Sequence, residues 1–135
     1  MIEKLLELQN NSYVPISNFR VSAIVVTKDG NTFNGVNVED ASTRAGTCAE
    51  RSAIFNAVNN GYKPGDFKEL HFMPSSGEVA TPCFVCRQLI NEFFDRDSKI
   101  YCYSTKGEVK EYTVEELCPY PFEEEDLKWN VDLLV

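Results

Sequence analysis

Cys48, Cys83 and Cys86, with Glu50 just beyond the first of them, are the residues whose types and spacing can do chemistry here. They fall in two short stretches, Thr47-Cys48-Ala49-Glu50-Arg51 and Thr81-Pro82-Cys83-Phe84-Val85-Cys86-Arg87. Three thiolates can hold a zinc ion and leave its fourth tetrahedral position open to water, as in a catalytic zinc site rather than a closed structural one. Glu50, two residues from Cys48, can reach that water without binding the metal. Each stretch leads into a run with helical apolar spacing. Helix N-termini favour anions, so thiolates placed there ionise and bind metal more readily.

Each stretch also has a plainer reading. Thr47-x-x-Glu50 before an apolar run is a capping box, which satisfies free amides at a helix start. Thr81-Pro82 reads as an N-cap followed by proline in the first turn. A lone Cys-x-x-Cys is weak evidence, and buried free cysteine is ordinary core. The joint pattern is more specific. Cys-x-Glu followed by Pro-Cys-x-x-Cys, each at a helix start, is the kind of signature that zinc-dependent nucleobase deaminases carry. Cys102 and Cys118 lack metal spacing and read as core thiols. His71, the only histidine, falls in a strand away from both stretches and reads as structural.

The elements that must position these residues alternate. Ile2, Leu5 and Leu6 give helical spacing over residues 2–10. A loop follows from Tyr13 to Phe19, punctuated by Pro15. Val21 to Thr27 is a buried strand, and Asp29-Gly30 is a hairpin signal that returns the chain as a strand from Thr32 to Val38. Asn37 and Glu39 point one way at the end of that strand. They form either a diol-binding pair or a solvated face. Cys48 to Asn60 is a helix whose alanines let it lie flat on a sheet, and Asn60-Gly61 ends it. Short strands are predicted at Leu70–Met73, Lys99–Ser104 and Glu108–Tyr112. A helix spans Cys83 to Phe94, with Leu89, Ile90 and Phe93 inward. Thr113-Val114-Glu115-Glu116 is a further capping box, and Glu123 to Asp126 a solvated acidic helix start. Strands alternating with helices predict an α/β domain, a three-layer α-β-α sandwich around a mostly five-stranded mixed sheet.

Composition sets the outer limits. The 135 residues suit one domain, 1–135, with a substantial core. A net charge of −8 opposes binding to a phosphate backbone, so a small free substrate is expected and nucleic acid is not. No apolar run approaches the roughly 18 residues of a membrane span, and the first residues do not read as a signal peptide. Five cysteines, an odd number with a metal-like cluster, suit a reducing cytoplasm better than a disulfide framework.

Over nearly its whole length the chain resembles the cytidine deaminase family. The matching residues are Tyr13-x-Pro15-x-Ser17-Asn18-Phe19-x-Val21, Gly35-Val36-Asn37-Val38-Glu39-x-Ala41, Cys48-Ala49-Glu50-Arg51, Pro82-Cys83-x-x-Cys86-Arg87-Gln88 and Leu117-x-Pro119-x-x-Phe122. The resemblance is to the short, three-cysteine class, which works as a homotetramer. It implies hydrolytic deamination of cytidine and deoxycytidine in pyrimidine salvage, with one zinc per subunit held by Cys48, Cys83 and Cys86. It makes Glu50 the proton shuttle and Asn37 and Glu39 the ribose ligands. Phe19 would pack on the base, the Ala49 amide would meet the base carbonyl, and the Thr81 carbonyl the amino group. Phe122 would reach a neighbouring subunit's site. The chain departs from the family pattern at Ile16, Arg20, Ser22, Asp40 and Thr43, the last standing where a tyrosine is common.

Chemistry fills in the roles. Glu50 takes the water proton, passes it to the ring nitrogen and then protonates the leaving ammonia. Arg51 and Arg87 are expected to donate hydrogen bonds to ligand sulfurs and withdraw charge from a site of three thiolates, or else to form surface ion pairs. Two alternatives remain at this stage. One is a deaminase of a modified cytosine nucleoside of the blasticidin type. The other is a zinc-stabilised binding module, which needs a fourth ligand near the cysteines.

Overall fold

The β-branched run Val21–Thr27 is the central strand, β1, buried along nearly its whole length. Asp29-Gly30 turns the chain, with Gly30 at a left-handed φ of 91° that a side chain resists. Strand β2 (Thr32–Val36) returns antiparallel to β1. In this computed structural model, which describes residues 1–127, β3 (Phe67–Pro74) pairs antiparallel with the other edge of β1. Strand β4 (Phe94–Tyr103) runs parallel to β3, and β5 (Val109–Thr113) antiparallel to β4. The result is the expected five-stranded mixed sheet, in the order β2-β1-β3-β4-β5.

Helices cover both faces, because alternate residues of each central strand must be buried on opposite sides. Val21, Ala23 and Val25 of β1, Leu70 and Phe72 of β3, and Ile100 and Cys102 of β4 form the larger core. Over it lie α2 (Ala49–Asn59), α3 (Phe84–Phe93) and the single turn α4 (Val114–Leu117). The opposite face carries Ile24, Met73 and Tyr103, covered by Leu5 of α1 (Ile2–Gln9). The alanines of α2 do lie flat on the sheet. A Cβ on Gly35 would stand 2.3 Å from the Ala49 carbonyl oxygen, so only glycine lets β2 and α2 approach this closely.

Two departures from the family pattern fasten α1. Arg20 Nη1 donates to the carbonyls of Gln9 (3.0 Å) and Ser12 (2.8 Å), neutralising the negative end of the helix. The buried Ser22 hydroxyl donates to Leu5 O at 2.7 Å.

Some predicted boundaries are corrected. Strand β3 begins at Phe67 rather than Leu70, and β4 begins at Phe94, directly where α3 ends. The polar residues Lys68, Glu69, Asp95, Arg96 and Asp97 disguise both strands in the sequence. Lys68 and residues 95–98 fall in a register shift between the pairs Phe67–Phe94 and Glu69–Lys99, with Phe94 packed 5.1 Å from Phe67, ring centroid to ring centroid. The capping box at Thr113 forms as predicted: Glu116 N donates to Thr113 Oγ1 and Thr113 N to Glu116 Oε1. The box at Thr47 does not form. Thr47 makes a β-bridge with Val38, and Cys48 is the residue at the N-cap of α2. Thr81 is likewise no cap, since Cys83 occupies that position for α3. Residues Glu124–Leu127 form a short exposed 3-10 turn at the acidic run.

Candidate active site

Helices α2 and α3 point their N-termini at one place beyond the end of β3. Cys48 and Cys83, both extended N-cap residues, therefore meet there, with Cys86 one turn into α3. The three sulfurs lie within 4.8 Å of one another, and those of Cys48 and Cys83 are 4.0 Å apart. Thiolates bonded to one zinc at about 2.3 Å and tetrahedral angles stand about 3.8 Å apart, so this donor set fits that ion. Cys86 is buried and Cys83 exposed, so the cluster opens to solvent on one side only.

Electrostatics favour a charged cluster. The Cys86 thiol and then the Arg51 guanidinium pull the Cys48 thiol down to about 5. The same hydrogen bond and burial push Cys86 upward, so the pair shares one proton. Arg51 Nη2 lies 3.7 Å from Cys48 Sγ, as the sequence led us to expect. Arg87 turns the other way. Its three donor nitrogens go to Pro82 O (2.7 Å), Leu117 O (3.1 Å) and Thr81 Oγ1 (2.6 Å), and it stacks over Phe84. It braces the segment that carries Cys83 and leaves the sulfurs alone.

Glu50, in the first turn of α2, is only 3% exposed. Burial, reinforced by the Cys48 thiolate, raises its carboxyl to about 7. A carboxyl that exchanges its proton near neutrality is suited to passing protons between groups.

A cleft of about 450 Å³ opens over Cys48, Glu50 and Cys83. Phe19, Asn37, Glu39, Ala49 and Thr81 line the same cleft, as do Arg51 and three of the departures, Ile16, Asp40 and Thr43. Phe122 does not line it; its ring lies elsewhere, 55% exposed. His71 is on the opposite face of the sheet, between Tyr103 (2.8 Å) and Glu69 (3.0 Å). Cys102 is buried in the larger core, and Cys118 is half-buried at the end of α4. Among the described residues, Cys48, Cys83 and Cys86 are the only group able to hold a metal ion.

Residues 1–104 match the cytidine and deoxycytidylate deaminase zinc-binding region. The chain belongs to this deaminase family. It is 36% identical to the cytidine deaminase of Sporosarcina psychrophila, covering 97% of this chain and 98% of the relative. It is also 36% identical to the Burkholderia pseudomallei cytidine deaminase of known crystal structure, with a TM-score of 0.85 over 90% of this chain and 95% of that one. A Bacillus cereus blasticidin-S deaminase is 32% identical, over 76% of each chain.

In this deaminase Ser17 and Asp40, which the sequence offered only as a match to and a departure from the family pattern, shape the cleft through their hydrogen bonds. The Ser17 hydroxyl donates to Glu39 Oε2 at 2.5 Å and accepts from Phe19 N, so it ties two cleft residues together. Its place before Asn18, which takes a left-handed φ of 56°, was the available signal of a turn. Asp40 accepts from the amides of Ser42, Ala45 and Gly46 and so builds the loop leading to Cys48. Asp two residues before a serine amide is a standard turn pattern.

Proposed function

We propose that the chain hydrolyses cytidine and deoxycytidine to uridine and deoxyuridine with release of ammonia, in pyrimidine salvage. The observation that carries this reading is the buried Glu50, held in one cleft with Cys48, Cys83 and the Asn37–Glu39 pair, with the buried Cys86 thiol completing the cluster. Residues 1–135 act as a single domain in the cytoplasm. Cys48, Cys83 and Cys86 hold one zinc ion per subunit. That ion supplies Lewis acidity, which brings the pKa of a water from about 15.7 towards 7.

The chain's own residues do the rest. Glu50 accepts a proton and delivers it to the ring nitrogen as the amino-bearing carbon gains the water oxygen. Glu50 then takes the remaining proton of the added hydroxyl and gives it to the amino group, whose bond to the ring carbon breaks to release ammonia as the ring carbonyl forms. Arg51 offsets negative charge at Cys48. The Ala49 amide, free in the first turn of α2, meets the base carbonyl, and the Thr81 carbonyl meets the amino group. Phe19 packs on the base.

Hydrogen-bond accounting supports a role for the ribose ligands. Glu39 accepts from Ile16 N, Ser17 N and Ser17 Oγ, which lowers its pKa and keeps it ionised. A carboxylate offers about four acceptor sites, so one remains for a sugar hydroxyl. Asn37 accepts from Val21 N and donates to Phe19 O, leaving one N–H for the sugar.

A modified cytosine nucleoside is the second reading, favoured by the blasticidin-S deaminase relative. The Asn37–Glu39 pair weighs for an ordinary sugar. The binding-module reading lacks a fourth ligand among the described residues. Ammonia release should therefore be fast with cytidine and deoxycytidine. It should be slow with a blasticidin-type aminonucleoside, and absent with a cytosine-containing oligonucleotide, which needs a basic groove. Equal rates on the oligonucleotide would sink this proposal.

The exposed Phe122 ring supports a homotetramer in which it stacks on the base in a neighbour's cleft. Light scattering should report four chains. Phe122→Ala should lose roughly 10- to 100-fold in kcat/KM, the worth of one base stack. A fully active monomer would show instead that Phe122 serves only its own chain.

A further inference from the structure

Gln88 follows the second cysteine stretch and touches neither the thiols nor the cleft. Its carboxamide instead reaches 34 residues along the chain. Nε2 donates to Phe122 O at 2.6 Å, and Oε1 accepts from Phe122 N at 3.1 Å. One side chain thus satisfies both backbone polar groups of one residue and fixes the position and orientation of its peptide. The preceding segment is gripped by its main chain too: Arg87 Nη1 donates to Leu117 O (3.1 Å) and Arg96 Nη1 to Cys118 O (2.8 Å). None of these bonds involves the Phe122 side chain, whose ring stays 55% exposed.

We infer that Gln88 is a positioning residue: by clamping the Phe122 backbone it presents that ring to the cleft of a neighbouring subunit. The inference rests on the reading of Phe122 given above. A ring on a loose tail would lose conformational entropy each time it closed a cleft. The Gln88 clamp removes that loss beforehand, because the backbone is already ordered in the free subunit. Gln88 also lies two residues beyond Cys86 on α3, so the competing explanation is that it steadies the thiol cluster of its own chain. The two differ in which cleft the residue serves.

Gln88→Ala, with zinc content and melting temperature checked against the parent, should lower kcat/KM roughly tenfold for the loss of two hydrogen bonds. The loss should fall mainly on KM. In a Phe122→Ala background the same substitution should cause no further loss. Mixing Gln88→Ala chains with Glu50→Gln chains, under proven subunit exchange, should raise activity per intact Glu50. Intact clefts then receive tails clamped by an intact Gln88. Gln88→Met, of similar length but unable to make either bond, guards against a helix disturbed by truncation and should behave alike.

Losses that add in the double variant, or mixing that restores nothing, would place Gln88 in its own cleft and overturn the inference. So would full activity in both Gln88 variants while Phe122→Ala is impaired. Full activity in Phe122→Ala would instead bring down the reading beneath it, and the inference with it.

Discussion

Glu50→Gln should purify as a folded protein with a full equivalent of zinc and turn over at least about a thousandfold more slowly than the parent. Positioned proton transfer contributes about 10²- to 10⁴-fold, and here one carboxyl serves several transfers in sequence. Glutamine fills the same volume in the 3%-exposed site and carries no charge to desolvate, so the fold should not suffer. The thiol cluster consists of Cys48, Cys83 and Cys86 alone, so the metal should not depend on residue 50. What glutamine cannot do is accept a proton and give it back. Metal content by atomic absorption and turnover by ammonia release must therefore separate. If zinc and activity fall together, Glu50 supports the metal and is not the shuttle.

The same residue marks how far the sequence could be read. The cysteine spacing brought out the cluster because local chemistry dictates it: thiolates at two helix starts need no knowledge of the sheet. β1, the Asp29-Gly30 hairpin and the Thr113 capping box were legible for the same reason, each being decided by neighbours within a few residues. Thr47-x-x-Glu50 satisfies the capping pattern equally well, yet Thr47 pairs with Val38 and Glu50 turns into the interior. An isolated bridge to Val38, beyond the end of β2, settled that competition. The early starts of β3 and β4 were hidden likewise, since the polar residues there lie in a register shift between the pairs Phe67–Phe94 and Glu69–Lys99. Arg87 beside a zinc-ligand stretch suggested a sulfur contact, but the carbonyls of Pro82 and Leu117 compete for its nitrogens. The partner of Gln88 is 34 residues away, beyond any local signal.

Cys83→Ala should lose stoichiometric zinc and melt roughly ten degrees lower than the zinc-loaded parent. Two remaining thiolates make a poor site, and metal binding that is lost is folding free energy that is lost. A ligand present at about 100 times its Kd stabilises a fold by about 2.7 kcal/mol, and a domain of this size moves a few degrees per kcal/mol. Packing should add little to the effect, because Cys83 is exposed. The decisive comparison is therefore with the parent after chelation. If Cys83 acts only as a ligand, the variant should melt where the chelated parent melts, and added zinc should raise the melting temperature of the parent alone. Cys86 is the contrasting position, because it is buried with no exposed surface. Cys86→Ala should melt below the chelated parent, having lost both the metal and a packed side chain. A Cys83→Ala chain that keeps one equivalent of zinc and the parental melting temperature would remove Cys83 from the metal site.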